Sequence, residues 1–263
     1  MKRFGLAWLA VLGLAAGFAY AAGGHAGPIK PGDYTGAIRV ACVGDSITYG
    51  AGVKDRETNC YPAVLGRMLG AKWEVRNFGV SGATMLKKGD KPYTKQKAFT
   101  AALEMKPNVV IIKLGTNDSK PQNWKNKAEF AVDTRDLINE FRKVDPKVRV
   151  YLCLPVPAYP GNWGISDGVI RGEVIPLLRA VAKAMQATET DLYTALSGKP
   201  QLFPDKVHPN AEGAALMAAT VFRALTGQEP PAAGQSRAAP AVEMPGRQAS
   251  ADRVFVEPAI CRI

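Results

Sequence analysis

The strongest constraint on the fold of this chain is an alternation. Four short apolar runs recur along it, separated by longer stretches whose apolar residues repeat at helical spacing. Ile38-Arg39-Val40-Ala41-Cys42-Val43 leading to Gly44, Trp73 to Phe78, Asn108 to Leu114 and Val148 to Leu154 each have the length of a buried strand, and Val and Ile dominate the third. Parallel neighbours need crossover connections, so strands alternating with helices predict an α/β fold with a mostly parallel sheet covered on both faces. Such a sheet takes its ligands outside the carboxyl ends of its strands. The chemistry should therefore lie in the residues that directly follow each run.

A first helix is expected from about Tyr61 to Leu69. Lys127 to Val144 carries Phe130, Leu137, Ile138 and Phe141 at helical spacing, and Asp145-Pro146 stops it. Ile170 to Met185 has a similar stripe despite Pro176. A last helix begins after Asn210, a good N-cap, has Glu212 in its first turn where the dipole favours it, and ends before Gly227. With 263 residues, 47% of them hydrophobic, there is material for one sizeable core rather than two.

The ends read differently. Met1-Lys2-Arg3, an apolar run from Phe4 to Tyr20 and the small residues around Ala19-Tyr20-Ala21 make residues 1–21 a secretory leader, so the protein is expected to be exported to the periplasm or the medium. That run is short for a bilayer span, and no Cys follows the expected cut, so neither a membrane span after leader removal nor a lipid anchor is expected. Residues 22–36 read as a Gly-rich linker, 37–227 as the catalytic domain, and 228–263, rich in Ala, Pro, Gly and Gln, as a flexible tail whose Val254-Phe255-Val256 could dock back.

Formal charge is +11, and removing Lys2 and Arg3 leaves +9. Anionic partners are compatible with that balance, as is a simple gain in solubility. No basic motif with interleaved aromatics marks a nucleic-acid binder. Cys42 and Cys153 fall inside strand runs and read as buried free thiols, while Cys60 and Cys261 could form a bridge fastening the tail.

Four signals fall at element boundaries. Gly44-Asp45-Ser46-Ile47-Thr48 follows the first strand, where a serine can present its hydroxyl at the sheet edge and lend its own N–H to an oxyanion. Ser81-Gly82 follows the second, with the Gly82 N–H as a possible donor. Gly115-Thr116-Asn117-Asp118 follows the third, with the Asn117 amide as another. Asp205-Lys206-Val207-His208 precedes the last helix, and a carboxylate three residues before a histidine can reach its Nδ1–H and fix the tautomer that accepts a serine proton on Nε2. The only other histidine is His25, so no multi-histidine metal site is expected and no cofactor is called for. Each signal alone is also what an ordinary turn or cap looks like; their order carries the reading.

In that order the four blocks, Gly-Asp-Ser-Ile-Thr, Ser-Gly, Gly-Thr-Asn-Asp and Asp-x-x-His, resemble those of the SGNH (GDSL-type) hydrolases, over about Ile38 to Leu225. The resemblance implies a three-layer α/β/α sandwich with a flavodoxin-like sheet. It implies Ser46 as nucleophile, His208 as base and Asp205 as its orienter, with the Ser46 N–H, Gly82 N–H and Asn117 amide as oxyanion hole. The Gly-x-Ser-x-Gly elbow of ordinary α/β-hydrolases is absent. Within the family, Val43 to Tyr61 and Cys153-Leu154-Pro155-Val156-Pro157 resemble bacterial exported carbohydrate acetylesterases, including those labelled sialate O-acetylesterases.

The leading function is thus hydrolysis of a short acyl ester, with acetyl first, on a glycan or other small hydrophilic alcohol. A lysophospholipase or thioesterase, an acyltransferase with the same triad, and a binding protein on a retired hydrolase scaffold are the alternatives. The segment after Gly82, with Lys87, Lys88, Lys91, Lys95 and Lys97, reads as a polar, basic rim unlike a lipase's apolar pocket, and would favour anionic glycans. Asp45, Tyr159 and Trp163 are candidate substrate contacts, the two aromatics on a loop expected to overhang the same sheet edge. Local packing of those rings, and a merely solvated lysine face, are the competing readings.

Overall fold

The structure, a computed structural model, describes residues 27–160 and 163–231. Five strands form one parallel sheet: β1 (Ile38–Gly44), β2 (Trp73–Gly79), β3 (Val109–Lys113), β4 (Arg149–Leu154) and β5 (Thr188–Asp191). Their order is β2-β1-β3-β4-β5, the flavodoxin-like arrangement. The expected α/β sandwich is what the chain adopts.

Period-two alternation sorts the strand residues between two cores. Ile38, Val40 and Cys42 of β1, Val109 and Ile111 of β3 and Tyr151 and Cys153 of β4 face one layer, which contains the helices α1 (Tyr61–Leu69) and α5 (Ala211–Thr226). Ala41 and Val43, Val110 and Ile112, and Leu152 and Leu154 face the other, built from α2 (Lys97–Glu104), α3 (Phe130–Val144) and α4 (Ile175–Ala184). Because both faces are covered, the central strands are runs of apolar residues rather than alternating ones, with charged residues confined to Arg39 and Arg149 near their starts and Lys113 at the end of β3.

The helix signals are used as the sequence suggests. Asn210 caps α5 by accepting from the Gly213 N–H at 3.0 Å, and Gly227 ends it in a left-handed conformation. Leu137, Ile138 and Phe141 are buried along α3. Pro176 is tolerated because it falls at the start of α4, preceded by a π-helical turn over Ile170–Val174.

The structure adds one element and corrects one expectation. β5 has no strand signal in the sequence: Thr-Glu-Thr-Asp has no apolar run, but as an edge strand it pairs only with β4 and buries only Thr190. The stretch 22–36 is not wholly a linker, since Ile29 is buried and its N–H donates to Leu225 O at 2.7 Å. The leader and nearly all of the proposed tail lie outside the described residues. Among the described residues no helix is long and apolar enough to cross a membrane. Cys42, Cys60 and Cys153 are buried free thiols; Cys261, considered as a partner for Cys60, lies outside the described residues. Burial pushes the Cys153 thiol up to about 12 and Cys42 higher still, so neither is a nucleophile at neutral pH.

Candidate active site

The strand order reverses between β1 and β3, and the crevice outside that point is where a doubly wound sheet binds. Gly44 of β1 pairs with Lys113 of β3, so the segments that leave these strands emerge side by side. One begins with Asp45-Ser46 and the other contains Asn117.

Directly after β1, Asp45 turns the chain into a single helical turn, Ser46–Tyr49. Its carboxylate caps the turn by accepting from the Ile47 N–H at 2.9 Å, and Gly50 ends it in a left-handed conformation. Ser46 is 9% exposed at the first position of that turn. Its Oγ lies 2.8 Å from His208 Nε2, and His208 Nδ1 lies 2.6 Å from Asp205 Oδ2.

The Asp205–His208 segment is a tight loop closed by Asp205, which also holds the ring. Asp205 Oδ1 accepts from the N–H groups of Val207 at 3.0 Å and His208 at 2.7 Å, leaving Oδ2 for the imidazole. The carbonyl of Lys206 accepts from Tyr159 N–H at 2.8 Å, which ties the loop to the segment after β4. Partial burial pulls Asp205 upward, but the hydrogen bonds from His208 and Val207 outweigh it and hold the carboxyl below its ordinary value. The geometry is that of a serine whose proton a neutral, oriented imidazole can take.

Gly82 sits at the third position of a turn that Ala83 N–H closes on Val80 O at 3.0 Å, with φ +80°, a left-handed value that favours glycine. Asn117 is buried, 4% exposed, and its Nδ2 donates to Ala83 O at 3.1 Å. Next to it, Asp118 is fully buried and accepts from Met85 N–H at 3.0 Å and Leu86 N–H at 2.8 Å. Burial pushes its carboxyl up to about 7 against the pull of those two donors. Asn117 and Asp118 thus tie the β3 turn to the segment that follows Gly82.

Of the candidate substrate contacts, Asp45 is misassigned. Its carboxylate is wholly buried, with Lys113 Nζ at 3.1 and 3.0 Å from its two oxygens. No signal for this pair was visible in the sequence, because Lys113 ends a run that otherwise reads as an apolar strand. Tyr159 packs locally: its ring lies 5.2 Å from that of Phe203 and its hydroxyl accepts from Lys199 N–H at 3.2 Å. Trp163 does stand at the site, 65% exposed, with its ring edge-on to His208 at 6.4 Å. Part of the basic rim is neutralised: Lys87 pairs with Asp136 and Lys88 with Glu129, whereas Lys91, whose Nζ donates to Ser81 O at 2.9 Å, Lys95 and Lys97 keep exposed charges. Among the described residues no group of three or more His, Cys, Asp or Glu side chains could hold a metal ion.

A flavodoxin-like sheet with a Ser-His-Asp constellation at its switch point defines a class of α/β hydrolytic scaffold distinct from the one with a Gly-x-Ser-x-Gly elbow. Residues 42–216 match the GDSL-like Lipase/Acylhydrolase family, and the chain belongs to it. It is 42% identical over 207 residues to an acetylxylan esterase of Xylanibacter ruminicola, a match covering 72% of this chain but 43% of that protein, so the chain spans less than half of that relative's length. Two solved structures share the fold, each with a TM-score of 0.59. A carbohydrate acetylesterase from Sinorhizobium meliloti is 21% identical, with 70% of this chain and 96% of that one covered. The aryl esterase of M. smegmatis is 23% identical, with 72% and 100% covered.

Proposed function

We propose that the protein is a serine ester hydrolase that removes acetyl groups from a carbohydrate. The observation that carries this is the continuous chain of hydrogen-bond contacts from Ser46 Oγ through His208 to Asp205, at 2.8 and 2.6 Å. In this reading His208 Nε2 takes the Ser46 proton as Oγ attacks the acyl carbonyl carbon. The carbonyl electron pair moves onto oxygen, where the N–H groups of Ser46 and Gly82 and the Asn117 amide receive it. Collapse breaks the bond to the sugar oxygen, which leaves with the proton from His208. Water then repeats the attack, giving its proton to His208, and acetate departs as Ser46 Oγ is reprotonated. Asp205 stays ionised throughout and holds the ring.

The carbohydrate part is supported by the similarity to an acetylxylan esterase and by Trp163, whose exposed ring beside His208 is suited to stacking on a sugar face. Lys87 and Lys88 are engaged by carboxylates, which leaves Lys91, Lys95 and Lys97 as the exposed charges an anionic glycan would meet. Export through residues 1–21 fits such a substrate, since the polymer lies outside the cell.

The test is an acyl-chain series, with acetyl, butyryl and octanoyl esters of one chromogenic alcohol, followed by acetate release from acetylated xylan. Preference for acetyl, with glycan deacetylation, is expected. Preference for octanoyl, or phospholipid cleavage without glycan activity, would refute the carbohydrate assignment. Acyl transfer to an added sugar alcohol in preference to water would replace hydrolysis by acyl transfer.

A further inference from the structure

The oxyanion reading requires that Ser46 and Asn117, which leave different strands, be held at a fixed separation. Backbone pairing ends at Gly44 and Lys113, before either residue is reached. Beyond that point a side chain spans the gap. Lys113 is fully buried at the end of β3, and its Nζ donates to Asp45 Oδ1 at 3.1 Å, Asp45 Oδ2 at 3.0 Å and Thr116 Oγ1 at 2.7 Å. An ammonium has three N–H groups, and these three contacts account for them. Asp45 is the residue before Ser46 and the cap of its turn; Thr116 is the residue before Asn117.

A buried ion pair is on average no more stabilising than apolar side chains of similar volume, because desolvation offsets the attraction. Burial pulls Lys113 below the ordinary lysine value, against the Asp45 carboxylate that favours its charge. What the pair supplies beyond stability is direction: three bonds from one atom to the two turns that flank the crevice.

We propose that Lys113 is a positioning residue that, through Asp45 and Thr116, sets the distance and orientation between the Ser46 nucleophile and the Asn117 oxyanion donor. The inference rests on the proposed reading of Ser46 and Asn117. Loosening the brace lowers turnover by letting the Asn117 turn drift, and it does so without changing ground-state binding.

The test is a set of variants assayed with a chromogenic acetate ester, with kcat, KM and the thermal midpoint measured for each. Thr116→Val keeps the ion pair and cuts its link to the Asn117 turn. The double variant Asp45→Asn with Lys113→Met removes both charges together, so neither partner is left as a buried charge without the other, and the Asn side-chain oxygen can still cap Ile47. Each is expected to fold and to lose kcat on the order of tenfold, with KM unchanged, since small misplacements carry losses of this kind. In an Asn117→Ala background, neither is expected to lose more than about a further twofold, because the group they orient is already gone. A purely structural role gives losses that multiply in that background, and that result, or wild-type kcat in the folded variants, overturns the proposal. Ser46→Ala distinguishes the two levels. An active Ser46→Ala overturns the reading of the site and the inference with it, whereas an inactive one with multiplying losses overturns the inference alone.

Discussion

Gly79→Ala is the substitution whose effect the geometry defines most sharply. Gly79 ends β2, and a Cβ placed on it would lie 2.1 Å from Tyr49 N, 2.7 Å from Thr48 C and 2.7 Å from Tyr49 Cα. All three are backbone atoms of the turn that begins at Ser46, so no rotamer change can relieve the clash. Ordinary contact begins near 3.4 Å, so that turn must move by about 1.3 Å relative to β2. Overpacking of this kind costs about 1–3 kcal/mol of stability. Displacing the nucleophile by about an ångström costs roughly a hundredfold in turnover. Denaturant unfolding of the variant should show the midpoint lowered, and stopped assays with a chromogenic acetate should show kcat/KM reduced by about two decades while the protein remains folded. A variant with wild-type stability and wild-type kcat/KM would refute the packing of β2 against the nucleophile turn.

Asp205→Asn should reduce kcat severely by admitting the wrong tautomer of His208. It should also alter the pH dependence of stability. Because Asp205 titrates below its unfolded value, its stabilising contribution is present above that value and is lost as pH falls through the lower folded one. The variant should therefore be less stable than wild type at pH 6 and converge with it in strong acid; a constant difference measured by urea unfolding at each pH would contradict this. Trp163→Ala should raise KM for glycan esters several-fold with little change in kcat on a small acetate ester, since the ring is 65% exposed and stands beside His208 with centroids 6.4 Å apart. Equal effects on both substrates in steady-state assays would remove its stacking role.

How much of this could be read from the chain depended on whether a residue's partners were local. Strands β1 to β4 and the helices α1, α3, α4 and α5 were legible because their apolar periodicity is a local pattern. β5 was not, because an edge strand of four residues needs little apolar surface and its pairing with Tyr151 to Leu154 is a long-range fact. The Asp205–His208 contact was legible from a spacing of three, whereas the approach of Ser46 to His208 spans 162 residues and was available only through the resemblance to a family. The Lys113–Asp45 pair had no local signal at all. A lysine at a strand end ordinarily reads as solvated, and only the closeness of the β1 and β3 ends makes it a buried partner of Asp45. For the same reason the sequence leaves Asp45 free to meet a substrate and Tyr159 free to stack, whereas the fold sets Lys113 against the first and Phe203 beside the second.

If Ser46 forms the covalent acyl intermediate, mass spectrometry of the intact protein after reaction with a fluorophosphonate will find it modified there. A single stoichiometric adduct is expected, mapped by peptide sequencing to Ser46, formed in step with loss of esterase activity and absent from Ser46→Ala, which should itself be inactive. Labelling at another residue, or full hydrolytic activity in an enzyme quantitatively modified at Ser46, would contradict it.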